Sequence, residues 1–254
     1  MANNPFSMPR MMPEPLRVAV VSDIHGNLPA LEAVLADIER RGPFERRIAN
    51  GDYCLNGPDP AAALDVVTSW ATDMTVGNTD RDIVNLGADD PDLGEKKLAS
   101  IHWCREQLGP QRVAQLAGLA FSASVEAPDN SLLFVVHANP VDLDRHIFPD
   151  MPSDTLEELV GGLQSDILVV GHLHTPFVRR FRGMRIVNVA ACGAPRDGDR
   201  RAVWGEFAWT AAAGWRWRIR RVAYDYGDTV LRILDSRMPH PDRRIRDLLR
   251  ATYV

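Results

Sequence analysis

LRVAVVSDIHGNLPALEAVLADIERR, residues 16–41, decides how this chain is read. Leu16 to Val21 is an apolar run of strand character. In LPALEAVLADIERR, Leu28, Leu31, Val34, Leu35 and Ile38 return to one helical face, and Pro29 is tolerated because it falls in the first turn. The unit is therefore strand, loop, amphipathic helix. It recurs: RRIAN leads into GDYCLNGPDP and a helical AAALDVVTSW, and DMTVGN leads into TDRDIVNL. Strands alternating with helices predict an α/β chain with a substantially parallel first half.

Working outward, residues 94–119 read as a helical insertion broken in two at Gly109-Pro110. FSASVE and SLLFVVH are short strands, the second apolar enough to lie inside a sheet. A helix around Asp154 to Leu163 precedes SDILVVGH, FVRRF and MRIVNV, three closely spaced strands typical of a sheet with antiparallel members. RRAVWGEFAW and GWRWRIRRVAY form a hairpin, followed by a C-terminal helix. In the hairpin Trp215, Trp217 and Ile219 alternate with Arg216, Arg218 and Arg220, the period of a strand with one buried and one wet face. Aromatics interleaved with arginines also suit single-stranded nucleic acid, which is the lesser reading. Residues 1–15, MANNPFSMPRMMPEP, read as a flexible tail without the apolar run of a signal peptide, and 16–254 as one elaborated domain.

Hydrophobic residues at 45% and charged residues at 25% place the chain among ordinary globular proteins. A net charge of −5 argues against a general nucleic-acid binder, and no run is long enough to span a membrane. Residues 196–254 nevertheless hold thirteen Lys or Arg against eight Asp or Glu. That excess reads first as solvated strand and helix surface, and second as a basic rim beside a site. Cys54, Cys104 and Cys192 are odd in number and widely spaced, which suggests neither disulfides nor a thiolate metal site and fits a reducing cytoplasm.

The polar residues that carry chemistry sit just past apolar strands, where open α/β sheets form their ligand crevices. Asp23 and His25, two apart in what reads as an extended segment, point the same way and could grip one cation. Asp52 follows Gly51 after the second strand; alone it would pass for a turn or cap residue. Asn78, in Gly77-Asn78-Thr79-Asp80, offers an amide oxygen to a hard cation and an NH₂ to substrate, while capping by Asn78, Thr79 or Asp80 competes as an explanation. His137 ends SLLFVVH. His172 and His174 follow SDILVV and read as wet, exposed histidines without a packing purpose.

In this order, D-x-H, G-D, G-N, H and G-H-x-H resemble the signature of the calcineurin-like metallophosphoesterases over residues 16 to about 195. GPDP at 57–60 and PRDGD at 195–199 are similar to the small bacterial and archaeal branch that includes the YfcE-type phosphodiesterases. The resemblance implies two mixed β-sheets packed as a sandwich flanked by helices. It implies two divalent metal ions, Mn²⁺ first, with Fe, Zn²⁺ or Ni²⁺ admitted by mixed N and O ligands. Asp23, His25, Asp52 and His174 would hold one; Asp52, Asn78, His137 and His172 would hold the other. Cations roughly 3.5–4 Å apart would share a hydroxide for attack on a phosphate ester. Asp52 and Asn78 would be catalytic, and Asn27, Asn78 and Thr79 would meet the substrate.

The implied activity is a phosphodiesterase, with a phosphomonoesterase or a dinucleoside polyphosphate hydrolase as alternatives and a non-catalytic scaffold as the reading of another class. A homo-oligomer is compatible with all of these. Protein phosphatases of the superfamily carry G-D-x-x-D-R-G and G-N-H-E; here Leu55, Asn56 and Thr79 replace the Asp, Arg and His, which speaks against a phosphoprotein substrate. NVAACGAP, at the end of the MRIVNV strand, also departs from the N-P-G-S of the branch.

Overall fold

The computed structural model describes residues 15–86 and 93–252; apart from Pro15, the tail read at residues 1–15 lies outside the described residues. The chain runs β1 (Leu16–Val21), α1 (Leu28–Arg41), β2 (Arg46–Asn50), α2 (Pro60–Trp70), β3 (Asp73–Thr75), α3 (Asn78–Asn85) and α4 (Glu95–Ala117). It continues through β4 (Ser122–Glu126), β5 (Leu132–Val136), α5 (Ser153–Val160), β6 (Ile167–Val170), β7 (Phe177–Phe181) and β8 (Met184–Asn188). The last elements are β9 (Ala202–Thr210), β10 (Gly214–Val222), α6 (Tyr226–Asp235) and α7 (Pro241–Arg250).

The strands form two mixed five-stranded sheets, ordered β10-β9-β1-β2-β3 and β4-β5-β6-β8-β7. In the first, β1, β2 and β3 run parallel, β9 runs antiparallel to β1, and the edge strand β10 runs antiparallel to β9. In the second, β5, β6 and β8 run parallel while β4 and β7 are antiparallel edges. The sheets meet through alternate side chains. Val18 and Val20 face inward against Leu133, Val135, Ile167 and Val169, with Phe207 and Trp209 from β9 in the same layer. Their neighbours Ala19 and Val21 turn the other way, toward Leu31, Val34 and Leu64 of α1 and α2 and Ile101 and Cys104 of α4. Leu168 and Val170 do the same toward Leu156 and Leu159 of α5. The period-two alternation of buried strands therefore generates four layers, with helices outside both sheets.

Two helix boundaries differ from the sequence reading for local reasons. α5 ends at Val160 and not at Leu163, because Gly161 and Gly162 follow and helix propagation through glycine is unfavourable. After the hairpin there are two helices where one is expected; Pro239 and Pro241 in SRMPHP prevent a continuous helix. The break in α4 falls at Gly109, which has φ 68° before Pro110. Cys54, Cys104 and Cys192 are buried free thiols.

Phe207 is fully buried between the sheets. Phe207→Ala is expected to lower unfolding stability by about 3–5 kcal/mol through lost transfer energy and an unfilled cavity. Urea denaturation measures this, and a loss below about 1 kcal/mol would contradict the assignment of the inter-sheet layer.

Candidate metal centre

The two parallel triplets of strands end on the same side of the sandwich, and the side chains singled out in the sequence collect there. A cross-sheet clasp brings the tips together: Asn50, last in β2, donates through Nδ2 to Val136 O at 3.1 Å, and His137 Nδ1 donates to Asn50 O at 2.9 Å. Asp23, His25, Asp52 and His174 each turn one potential ligand atom inward, all within 4.8 Å of one another. Asn78 Oδ1 lies 3.2 Å from His137 Nε2, and the His172 ring is 5.1 Å from that of His137 between centroids.

The way the seven residues converge differs from the expectation of extended segments. Asp23, His25, Asp52, His172 and His174 have φ of 55°, 49°, 58°, 62° and 60°, the left-handed region. Asp23 and His25 thus meet through a turn after β1 and not through strand alternation. Such conformations cost energy in non-glycine residues, and Asp and His are among the types that adopt them most readily. Close approach elsewhere requires glycine. A Cβ on Gly51, itself at φ 77°, would stand 2.6 Å from His137 Nδ1, and one on Gly77 would collide with Asp52 Oδ1.

All four histidines have the same arrangement. One ring nitrogen donates to a backbone carbonyl: His25 Nδ1 to Leu55 O at 2.9 Å, His137 Nδ1 to Asn50 O at 2.9 Å, His172 Nε2 to Asp144 O at 2.9 Å and His174 Nδ1 to Ala194 O at 2.7 Å. A carbonyl accepts only, so each bond fixes the tautomer and leaves the other ring nitrogen as a lone pair. His25 Nε2 and His174 Nε2 then face each other at 3.2 Å, and His174 Nε2 is 3.1 Å from Asp23 Oδ1, which is buried and has no donor. Acceptors this close repel unless a proton or a cation lies among them. Burial, with His174 adding to it and Asp52 and Asp23 opposing, pushes His25 down to about 4, so a proton there is disfavoured near neutral pH. A cation fits.

With only the protein's own charges around them, the other groups are also tuned. Burial and then His137 lower His172 to about 4. Burial alone would raise Asp23, but the histidines, led by His174, hold it well below the usual carboxylate range. Asp52 is lowered in the same way, with His137 the leading cause against burial. His137, by contrast, is raised, because Asp52 and Asp23 outweigh its burial.

Several supporting residues carry no obvious motif. Asp80 accepts from the backbone N–H of Asp52 at 2.7 Å, Tyr53 at 3.1 Å and Gly77 at 2.9 Å, binding the second loop to the start of α3; burial and the nearby Asp52 push it up to about 7. Its signal was the competing capping role. Ser22 Oγ and His172 N both donate to Asp23 Oδ2, at 2.6 and 3.0 Å. Arg81 on α3 grips Asp144 with NH1 and NH2 at 2.7 and 2.9 Å, fixing the loop whose carbonyl orients His172. His146, on the same loop, stacks on His172 at 4.0 Å. A lone His in NPVDLDRHIFPD gave no sequence signal.

One expectation changes. His172 and His174 are half-buried and hydrogen-bonded, not wet and exposed. Asn27 lines the pocket beside the cluster and is held by the protein's own groups. Its Oδ1 accepts from Ala30 N and Thr229 Oγ1, and its Nδ2 donates to Gly193 O and Tyr224 OH, which uses all four positions of the amide. Thr79, 7% exposed, donates its N–H to Asp52 Oδ1 at 2.9 Å and has a buried hydroxyl without a partner among the described residues. The departure of NVAACGAP from the expected pattern is harmless to the geometry because this loop works through its backbone, Ala194 O for His174 and Gly193 O for Asn27. Beside the cluster opens a pocket lined by His25, His174, Asn56, Pro58, Arg196 and Arg244 among others.

Comparison with known proteins agrees with this architecture. The chain is 28% identical over 240 residues to an uncharacterized protein of Methanocaldococcus jannaschii, covering 87% of this chain and 93% of that one. A metallophosphoesterase from Sphaerobacter thermophilus superposes with a TM-score of 0.75 at 24% identity, over 93% of this chain and 99% of its own. A hypothetical protein from Pyrococcus horikoshii gives 0.79 at 22% identity, over 94% and 100%. The model of the calcineurin-like phosphoesterase superfamily domain matches residues 16–207, the stretch that supplies every residue of the cluster, and the chain belongs to that family.

Proposed function

We propose that the chain is a phosphodiesterase with two divalent cations, Asp23, His25, Asp52 and His174 around one and Asp52, Asn78, His137 and His172 around the other. The observation that carries this reading is the convergence of lone pairs whose ring N–H groups all point away to carbonyls. Mn²⁺ is the first cation to test, because the donor set of imidazole, carboxylate and amide oxygen admits it. Bound cations would supply Lewis-acid activation of water and charge neutralisation at the phosphoryl group.

The chain's own residues divide the remaining work. Asp52 is suited to a shared position because its two oxygens face different histidines, Oδ2 toward His25 at 3.7 Å and Oδ1 toward His137 at 3.5 Å. The N–H of Thr79 and the Asp80 clamp on the Asp52 backbone hold that carboxylate in register. Asn78 turns its amide oxygen to His137, which leaves its NH₂ for a phosphoryl oxygen. Thr79 stands where a stronger acid would assist a departing alkoxide. Its hydroxyl can hydrogen-bond a leaving oxygen but transfers a proton poorly near pH 7.

Three outcomes follow. Long-range ¹⁵N–¹H correlation spectra of the metal-free protein, recorded at a pH high enough to deprotonate His137, are expected to show His25, His137 and His174 as Nδ1–H tautomers and His172 as the Nε2–H tautomer; any other distribution among the neutral rings contradicts the proposed donor set. Asp52→Asn is expected to reduce activity by more than the roughly 10–100-fold typical of losing an outer hydrogen bond to a ligand, and to lower the content of both metals. Two tightly held metals with near-normal turnover in that variant would remove Asp52 from its shared position.

The third concerns the substrate. With added Mn²⁺, aryl diesters with good leaving groups should be cleaved faster than alkyl monoesters or dinucleoside polyphosphates, and Thr79→His should raise rates on poor leaving groups by up to roughly 10²-fold. Equal rates on alkyl monoesters and activated diesters, with chemistry limiting, would refute the role given to Thr79. Purified protein that bound no metal and cleaved no ester would favour the scaffold instead.

A further inference from the structure

We infer that Arg244 of α7 is a substrate-binding residue, a guanidinium set in the pocket beside the cluster to hold a phosphate oxygen of the ester. The inference rests on the phosphoesterase reading above and assigns a specificity element to it. Arg244 lies beyond residue 207, where the family match ends, so it is supplied by a part of the chain outside the matched domain.

Arg244 has only 15% of its side chain exposed, and its single ion pair among the described residues is with Asp247 Oδ2, at 4.0 Å. That same oxygen is also approached by Arg196 at 3.7 Å and by Arg243 at 3.9 Å. For Arg244 this carboxylate is the one counterion among the described residues, and it lies beyond direct hydrogen-bond distance. Burial first, and then Arg243, push Arg244 down to about 10, which records how weakly its charge is compensated. A buried cation without a counterion is costly unless an anion completes it.

Arg244 NH2 donates to Asn56 Oδ1, which fixes the plane of the guanidinium, while its Nε–H is buried and has no partner among the described residues. Asn56 directly follows Leu55, whose carbonyl orients His25. The guanidinium is thereby tied to the loop that positions a proposed metal ligand. Arg244 also lines the same pocket as His25 and His174. A planar fork with an unspent donor, excess positive charge and a shared wall with the cluster match phosphate oxygens better than a neutral group.

Calorimetric titration of Mn²⁺-loaded protein with inorganic phosphate, and separately with pyrophosphate, tests the assignment. Arg244→Gln should weaken binding by roughly 10- to 100-fold, the worth of a charge-assisted hydrogen bond. Arg244→Lys, which keeps the charge and loses the fork, should fall between. Metal content and melting midpoint should be those of the wild type. Equal losses for both anions would assign the scissile phosphoryl group to Arg244; a loss greater for pyrophosphate would assign a second phosphate of the substrate. Repeating the titration after EDTA treatment separates the two readings, since a difference between wild type and Arg244→Gln that persists without metal belongs to the arginine alone. Unchanged affinity for both anions in Arg244→Gln, or loss of metal in both variants, would overturn the proposal.

Discussion

Two carboxylates, an amide oxygen and four imidazole lone pairs are gathered at the tip of the sandwich, with the ring hydrogens of all four histidines spent on backbone carbonyls behind them. Mutual repulsion among these acceptors is the constraint on which the rest of the site depends. To hold them against it, the chain accepts left-handed backbone at Asp23, His25, Asp52, His172 and His174. At about 1–3 kcal/mol each, that strain is comparable with the whole stability of a typical domain, so the surroundings must over-determine it. They do so by redundancy. Asp80 ties three N–H groups, Asn50 joins the two sheets, and Asn188 donates to Gly171 O at 2.7 Å just before the paired histidines.

The strands explain why this arrangement is possible at all. Parallel pairing places the ends of β1, β2 and β3 side by side, and those of β5, β6 and β8 likewise, so residues far apart in sequence fall along one edge. The inward valines and Phe207 then press the two edges together. Metal-ligand chemistry at the tip and apolar packing in the middle are therefore one mechanical problem. A shift between the sheets would move His137 and His172 relative to Asp23 and Asp52, which belong to the opposite sheet.

What the sequence made legible follows from the same physics. Period-two and helical repeats gave the strands, α1 and α2, because their faces are buried against something. Asp23, His25, Asp52, Asn78, His137, His172 and His174 were conspicuous because each follows an apolar strand and has a side chain that serves no packing purpose. Asn50 and Asn188 escaped notice, since a polar residue closing a strand also reads as an ordinary turn. Asp144 acts through its carbonyl, which no side chain advertises. Asn27 has a second task that its motif does not advertise: its amide caps α1 and holds α6 and the loop at Gly193. The left-handed turn at 23–26 was invisible because Asp and His are compatible with extended and left-handed backbone alike.

Arg244 could not be read from the sequence either, because α7 carries four arginines in ten residues and only tertiary docking decides which one turns inward. The positive excess of residues 196–254 was read first as solvated surface, and most of it is; Arg196 and Arg244 are the part that reaches the pocket. This separates two tasks along the chain. None of the seven proposed ligands lies after His174, so the ligand set is complete before β9 begins. The wall that faces them is built from α6 and α7 and anchored through Thr229 to Asn27. Residues of that wall reach the cluster across the pocket and through the hydrogen bonds of Arg244 to Asn56 and of Thr229 to Asn27. The proposed ligands thus lie within the family's shared domain, and the proposed phosphate-binding arginine lies in the helices that follow it.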